Sequence, residues 1–289
     1  MRILVTGSAG MLGRAVVAAL ADDHEVTGVD LPDGDLTVAG DVAALFERYR
    51  PEWTVHTAAY TDVDGAESDR HRAAAVNGEA TAAVAEACDA AGAGLTYIST
   101  DYVFAGEAAD GYDEDDARDP VNAYGATKAA GEAATESMSG PWQIVRTSWL
   151  FGPGPRNFVL TVRRLLAERD TLKVVDDQTG CPTFAPDLAR VLAYLMRARP
   201  AGVFHATNAG ACTWYAFARE IARLSGDDPR RARPCGSGAY PTPARRPRCS
   251  ILKSRNLEAC GCPARPTWQD ALARYIAWLD DRTHVERGG

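Results

Sequence analysis

A short apolar segment followed by three evenly spaced glycines opens the chain and limits what it can fold into. Residues 3–5 (Ile-Leu-Val) are too few for a helix and suit a buried parallel strand, and Gly7, Gly10 and Gly13 follow. Gly7 permits an unusual φ, Gly10 lets backbone N–H groups approach a ligand, and Gly13 lets the next helix pack on the strand. A helix N-terminus also attracts negative charge. The pattern predicts a turn that holds a dinucleotide pyrophosphate, and a tight turn that binds nothing is the plainer alternative.

An acidic residue ends the second predicted strand, residues 25–30. Asp30 lies about twenty residues beyond the glycine turn, where dinucleotide-binding folds place an acid on the adenosine ribose. A carboxylate there accepts hydrogen bonds from ribose hydroxyls and repels a 2′-phosphate, so NADH is favoured over NADPH, although Arg14 could neutralise a phosphate. The plainer interpretation is a solvated acid at a turn. Asp41 and Val42, just before the next helix, are predicted to flank the adenine.

Two further predicted strands, residues 53–58 and 95–100, bring small and hydroxyl-bearing side chains to their carboxyl ends. Ligands of open α/β sheets bind at that edge. Small side chains on the first of these strands would admit a cofactor, and hydroxyls on the second could bind a carbonyl oxygen. The residues brought there are Ala58, Ala59, Tyr60, Ser99, Thr100 and Asp101.

A tyrosine and a lysine four residues apart share one face of the helix predicted for residues 122–132. A phenol with a pKa near ~10 is a poor acid–base catalyst at neutral pH, and the ammonium of Lys128 would favour the phenolate of Tyr124. The hydroxyl of Thr100 would hydrogen-bond the carbonyl oxygen being reduced. Such pairs also occur by chance on many helix surfaces. Their order after the glycine turn and the strand-end acid favours one hydride-transfer site.

Composition excludes several other classes of protein. The formal net charge of −8 and the pI near 5.2 argue against a nucleic-acid surface. No apolar run approaches the ~18 residues needed to span a bilayer, so a cytoplasmic protein that does not bind membranes is expected. Seven cysteines form an odd, scattered set, which favours reduced thiols. Cys260 and Cys262 lack a second ligand pair, and no metal site is predicted.

Five short blocks extend the pattern beyond the hydride-transfer motifs. Together with those motifs they resemble the dTDP-4-dehydrorhamnose reductase family, within the extended short-chain dehydrogenase/reductase superfamily. They span most of the chain, and their combination is more specific than the glycine turn. The blocks are 58–64 (AAYTDVD), 99–104 (STDYVF), 146–152 (RTSWLFG), 177–183 (DQTGCPT) and 243–247 (PARRP).

The resemblance implies NAD(P)H-dependent reduction of the 4-keto group of dTDP-4-dehydro-L-rhamnose to dTDP-L-rhamnose. It implies that Tyr124 donates the proton, that Lys128 lowers the tyrosine pKa and binds the ribose, that Thr100 and Asp101 contact the sugar, and that Trp149 borders the hexose. A homodimer is one possible assembly. The positions that match cofactor contacts are Gly10, Met11, Leu12, Asp30, Ala58, Ala59 and Tyr60. Cys249 departs from the family, which usually has asparagine there, and so does the long segment 36–41.

The expected fold is α/β: a doubly wound, Rossmann-like parallel sheet with a smaller C-terminal α/β lobe for the substrate. Residues 1–150 plus about 171–205 are assigned to the dinucleotide-binding domain, and about 151–170 and 206–289 to the substrate lobe. Residues 229–247 are predicted to be a loop, either a solvated linker or a basic flap over the substrate diphosphate. Two alternative functions are an NAD-dependent nucleotide-sugar epimerase or dehydratase, and a non-catalytic NADP-binding subunit resembling that of methionine adenosyltransferase.

Overall fold

A computed structural model of the chain describes residues 1–287 and has an α/β architecture. The strands are β1 Arg2–Thr6, β2 Glu25–Val29, β3 Trp53–His56, β4 Gly94–Thr100, β5 Trp142–Thr147, β6 Leu150–Phe151, β7 Leu172–Val175, β8 Thr179–Gly180, β9 Thr183–Phe184, β10 Gly202–His205, β11 Cys212–Thr213 and β12 Ala232–Cys235. The α-helices are α1 Met11–Leu20, α2 Ala39–Tyr49, α3 Gly65–Ser68, α4 Arg70–Ala74, α5 Ala80–Ala91, α6 Ala123–Glu136, α7 Phe158–Glu168, α8 Ala185–Ala198, α9 Trp214–Leu224, α10 Arg255–Ala259 and α11 Trp268–Arg287. A π-helical turn, Ala75–Glu79, joins α4 to α5.

Six parallel strands form the central sheet in the order β10-β5-β4-β3-β1-β2. From β1 the chain moves outward to β2 and then returns to β3 on the other side of β1. This reversal makes β1 and β3 the switch point at which doubly wound sheets bind ligands. The Rossmann-like fold expected from the sequence is confirmed.

Helices cover both faces of the sheet, because successive side chains of a buried strand point to opposite faces. Ile3 and Val5 pack with α1 and α8 on one face. Leu4 packs with α2 and α5 on the other, in a cluster that includes Leu95 and Val84. Both faces of β1 are therefore buried, and the carboxyl ends of the strands remain the edge available to a ligand.

A second hydrophobic core, made from α7, α9, α11, β7 and β12, forms a smaller lobe. Leu172 and Val174 of β7 belong to this core, and β7 pairs in parallel with β12 and not with the central sheet. The assignment of about 171–205 to the dinucleotide-binding domain is therefore wrong at its beginning. The strand that pairs with β7 lies in the segment expected to be a loop, so its place in the second lobe could not be read from local sequence.

Residues 229–247 are more ordered than their composition predicts. Pro229–Arg231 is a 3₁₀ turn, β12 follows, and Ser237–Ala239 is a second 3₁₀ turn. Pro234 lies within β12, which forms a two-stranded sheet with β7, and proline is tolerated on such an edge. Within residues 1–287, no helix has the length and apolarity that a bilayer span requires.

Candidate active site

A cavity of about 970 Å³ runs along the carboxyl edge of the central sheet, from the β1–α1 turn to the start of α6. It brings together nearly all of the site residues expected from the sequence. Its lining includes Gly7, Gly10, Met11, Leu12, Asp30, Ala58, Ala59, Tyr60, Thr100, Asp101, Tyr124, Lys128 and Trp149. These residues come from six separate segments of the chain, so only the fold makes them neighbours.

Asp41 and Val42 do not line this cavity. Val42 is buried in the core between α2 and the sheet, and Asp41 accepts a hydrogen bond from the Asp35 backbone N–H at 2.8 Å. The part of the cavity beyond Asp30 is lined instead by Leu31 and residues 34–37, because α2 turns Val42 inward toward the sheet. A contact of Asp41 or Val42 with the adenine stays a prediction.

Backbone packing in the β1–α1 turn explains why two of its positions are glycine. Gly7 has a φ of 67°, in the left-handed region, and a Cβ there would lie 2.6 Å from the Ala58 backbone nitrogen. A Cβ on Gly13 would lie 2.2 Å from the Gly7 carbonyl oxygen. Gly10, the N-cap of α1, contributes no side-chain cap, and the first turn of α1 has no acidic residue. Its first N–H groups therefore face the cavity with their positive potential uncompensated, as an anion site requires.

The carboxylate of Asp30 is fixed against the glycine turn. Its Oδ2 accepts a hydrogen bond from the Ala9 N–H and its Oδ1 one from the Leu31 N–H, both at 2.9 Å. Arg14 donates from Nε to the Ala9 carbonyl at 2.8 Å. Carboxylate oxygens retain further lone pairs, so Asp30 can still accept hydrogen bonds from ribose hydroxyls. The guanidinium of Arg14 is the nearby group that could offset a phosphate.

Thr100, Asp101 and Tyr124 form a polar group where β4 ends. The Thr100 hydroxyl donates to Asp101 Oδ1 at 2.9 Å and accepts from the Tyr102 N–H at 3.2 Å. Burial raises the pKa of Asp101 to about 7, although hydrogen bonds from the Ser250 and Thr100 hydroxyls oppose the shift. Burial also raises the pKa of Tyr124, against a hydrogen bond with Thr100 and assisted by the charge of Asp101. At neutral pH the phenol therefore carries the proton that it would donate.

Lys128 is almost completely buried, and its ammonium contacts the main chain of β4. Its Nζ donates to the Ile98 carbonyl at 2.7 Å and lies 4.1 Å from the centre of the Tyr97 ring. Burial lowers the pKa of Lys128 to about 7, and the charge of Glu132 opposes this shift. Burial is the largest influence on the pKa of Tyr124, and the lowering of that pKa by Lys128 stays a prediction.

A buried ion network beneath the site was not anticipated from the sequence. Glu132, fully buried on α6, pairs with Arg146 through two bonds of 2.8 and 2.7 Å and with Arg118 at 3.1 Å. It also accepts a hydrogen bond from the Ser99 hydroxyl at 2.5 Å. The network joins α6, which carries Tyr124 and Lys128, to β4 and β5. An arginine inside the apolar β5 sequence was the available signal, since a buried guanidinium needs a partner.

A second cavity, of about 1030 Å³, adjoins the first and lies between the small lobe and residues 105–109. Cationic and aromatic side chains line it: Arg169, Lys173, Arg245, Arg246, Arg248, Phe158, Trp214 and Tyr240. Arg246 is already paired with Asp64, at 2.8 and 2.9 Å. Arg248 is exposed at the cavity. The basic segment 243–248 therefore lines a cavity large enough for a ligand, which is the position expected of a basic flap over an anionic group.

No grouping of three or more His, Cys, Asp or Glu side chains that could hold a metal ion occurs within residues 1–287. The cysteines are all free thiols, and Cys249 lines the second cavity with its Sγ 3.6 Å from the Ala109 carbonyl oxygen.

Comparison with known proteins adds the family context. Residues 1–280 match the family described as the RmlD substrate binding domain. The chain is 45% identical to a dTDP-4-dehydrorhamnose reductase of Streptomyces griseus, over 97% of this chain and 95% of the relative. It is 41% identical to a dTDP-4-keto-6-deoxy-D-glucose reductase of Streptomyces niveus, over 96% and 98% of the two chains. The crystal structure of a dTDP-4-dehydrorhamnose reductase from Bacillus anthracis, in complex with NADP, superposes with a TM-score of 0.92 at 36% identity and covers 96% of this chain and 98% of that one.

Proposed function

The chain belongs to the RmlD substrate binding domain family, and on that premise we propose that it is an NAD(P)H-dependent reductase of nucleotide sugars. Its reaction would be reduction of the 4-keto group of dTDP-4-dehydro-L-rhamnose to dTDP-L-rhamnose. The observation that carries this proposal is the continuous cavity that joins the glycine turn to Tyr124 and Thr100. A dinucleotide site and a proton donor for a carbonyl share one space there.

The residues of the first cavity fit a nicotinamide dinucleotide. Glycine at positions 7 and 13 keeps the β1–α1 turn packed against the Ala58 backbone and against itself, and Gly10, Met11 and Leu12, which line the cavity, would hold the pyrophosphate. Asp30 would accept hydrogen bonds from the adenosine ribose. Residues 58–60 (Ala-Ala-Tyr) line the path toward Tyr124. When bound, the cofactor would supply the hydride for the carbonyl carbon.

The chain itself would supply the proton and stabilise the developing negative charge. Tyr124, protonated because burial raises its pKa, would donate to the oxygen that becomes the alcohol. The Thr100 hydroxyl, which donates to Asp101 Oδ1 in this structure, would rotate to donate its proton to the same oxygen when substrate binds. Lys128 would bind the nicotinamide ribose and compensate the phenolate that remains after donation. Trp149 would border the hexose.

The second cavity would hold the nucleotide end of the substrate. The exposed guanidinium of Arg248 and the ammonium of Lys173 suit a diphosphate, and Phe158, Trp214 and Tyr240 offer flat apolar surface to a base. Asn122 ties the start of α6 to the basic segment, because its side-chain amide donates to the Arg245 carbonyl at 2.9 Å. A hydrogen bond thus links the basic segment 243–248 to the helix that carries the proton donor.

Both cofactors are compatible with the site, and Asp30 favours NADH. The carboxylate would disfavour a 2′-phosphate. Arg14, whose Nε donates to the carbonyl of the same Ala9 that donates its N–H to Asp30, would partly offset that repulsion. The Bacillus anthracis relative was crystallised with NADP. We therefore expect turnover with either cofactor and a lower KM for NADH.

The decisive experiment is a spectrophotometric assay of NADH and NADPH oxidation with a panel of dTDP-4-keto-6-deoxyhexoses. Stoichiometric oxidation with the L-rhamno substrate would support the proposal, and no oxidation with any member would refute it. Preference for the D-gluco 4-keto sugar would favour the second candidate, the activity named for the Streptomyces niveus relative. An epimerase or dehydratase would instead convert the sugar without net consumption of exchangeable NADH. A non-catalytic subunit would show no oxidation despite binding the cofactor.

A further inference from the structure

Two tryptophans separate the two cavities. The rings of Trp149 and Trp214 are stacked with their centroids 3.4 Å apart and their planes 6° from parallel. Trp149 lines the cavity that contains Tyr124, whereas Trp214 lines the second cavity. The stacked indoles therefore form part of the wall between them, and each cavity meets a different member of the pair.

Trp149 has a backbone conformation that needs outside support. Its φ is 46°, in the left-handed region that a bulky non-glycine residue adopts only at a cost. Its carbonyl accepts a hydrogen bond from the Thr183 N–H at 3.2 Å. A Cβ on Gly180 would lie 2.5 Å from Cε2 of the indole, so glycine at that position lets the ring lie directly against the backbone. Strained residues of this kind cluster at ligand sites.

Trp214 is held from the side of the small lobe. It is the first residue of α9, whose N-cap Thr213 accepts from the Ala216 N–H at 3.1 Å and donates to Asp176 at 2.6 Å. The Phe158 ring also packs against the indole, tilted by 52°, with the two centroids 4.5 Å apart. The indole of Trp214 is thus a fixed surface on which that of Trp149 rests.

We propose that Trp214 is a positioning residue: it holds Trp149 at the junction of the two cavities and so couples occupation of the nucleotide cavity to the placement of the hexose at Tyr124. This inference rests on the proposed function, because it assigns one cavity to the nucleotide and the other to the reacting sugar. Trp214 acts on the chemical step only through Trp149, and its own contact with the nucleotide would affect substrate binding rather than kcat. Its removal lets the strained Trp149 backbone relax and the indole leave the hexose.

A double-mutant cycle tests the coupling. Trp214→Leu is expected to lower kcat at least tenfold while the Kd of NADH stays within twofold of wild type. In a Trp149→Leu background, the same change should cost no more than twofold. Losses that multiply, or a Trp214→Leu variant with wild-type kcat, would overturn the proposal. If Trp214→Leu fails to fold, Trp214→Phe replaces it in the cycle. It should lower kcat when Trp149 is present and change kcat by no more than twofold in the Trp149→Leu background.

Circular dichroism provides a readout that does not depend on turnover. Two parallel indoles in contact produce an exciton couplet, which should vanish in Trp149→Phe and in Trp214→Phe and persist in Trp142→Phe, a control at the far end of β5. Titration of wild type with dTDP should change the couplet, because the nucleotide would contact Trp214. A couplet that does not respond to dTDP would overturn the coupling. Absence of turnover with every 4-keto sugar, with a responsive couplet, would refute the proposed function instead.

Discussion

The ammonium of Lys128 donates to the main-chain carbonyl of Ile98, 2.7 Å away, two residues before the hydroxyl of Thr100. This bond fixes α6 to β4 at the point where both deliver their polar side chains to the cavity. The ammonium lies in a buried environment, and this burial lowers the pKa of Lys128 to about 7. The lysine thus helps to position the site, and the proposed function also assigns it the cofactor ribose.

Removal of the Tyr124 hydroxyl is expected to abolish proton donation without unfolding the chain. Tyr124→Phe should lower kcat by about 10²–10⁴-fold, the usual range for loss of a general acid. The Kd of NADH, measured by fluorescence titration, should remain close to wild type. Tyr49→Phe on α2, distant from the cavity, is the control. Wild-type kcat in Tyr124→Phe would show that another group donates the proton.

Titration of Lys128 predicts that kcat/KM for NADH falls at alkaline pH. Its ammonium is charged below its pKa of about 7 and is lost as the pH rises through that value, so kcat/KM for NADH should fall on the alkaline side. Lys128→Arg keeps a charged group and should move this limb to higher pH. Because Asp101 also titrates near 7, the profile of Asp101→Asn is needed to separate the two. An alkaline limb that Lys128→Arg leaves in place would assign the titration to another group.

Asp101 predicts a pH-dependent difference in stability. Its folded pKa of about 7 exceeds the unfolded value near 3.9, so protonation favours the native state and this contribution is lost as the pH rises from about 4 through 7. Asp101→Asn removes the buried charge while keeping an acceptor for Thr100. Relative to wild type, the free energy of unfolding of the variant should rise between pH 5 and pH 8, by about 3 kcal/mol. Equal differences at both pH values in urea denaturation would contradict the prediction.

Glycine replacements distinguish the steric demands of the turn from general effects of alanine. Gly7→Ala places a Cβ against the Ala58 backbone and retains a φ of 67°, and should cost stability and abolish NADH binding. Gly40→Ala is the matched control, because a Cβ there meets nothing within 4 Å and the residue lies in α2. The control should stabilise by about 0.5–1 kcal/mol. Thermal unfolding and calorimetric titration of NADH measure both, and cofactor binding retained in Gly7→Ala would remove the turn from the site.

Substitution of Asp30 tests the origin of the cofactor preference. Asp30→Asn retains one acceptor oxygen for the Ala9 N–H and removes the negative charge that faces a 2′-phosphate. The ratio of kcat/KM for NADPH to that for NADH should rise by about tenfold, equivalent to about 1.4 kcal/mol. Arg14→Ala should shift the ratio in the opposite direction. An unchanged ratio in both variants would place discrimination elsewhere at the adenine end.

The sequence was most informative where chemistry constrains single positions. The glycine spacing, the acid after β2 and the Tyr124–Lys128 spacing were sufficient to predict which strands and helices meet at one edge of the sheet. Long-range pairing was harder: β7 pairs with β12, some sixty residues later, and neither strand has a distinctive pattern. The raised pKa of Tyr124 could not be predicted from the sequence either, because spacing along a helix does not reveal whether a phenol is buried.

The position of β10 at the edge of the sheet has a consequence for synthesis of the chain. β5 ends at Thr147, but its outer edge is paired only after Gly202–His205 has emerged, so the apolar β5 edge stays open while the intervening residues are translated. Open strand edges are templates for pairing with other chains. A fragment that stops near residue 150 should therefore aggregate although it contains the whole glycine turn and the proton donor. The last strand of the sheet thus covers the open edge of β5, and it does so only late in synthesis.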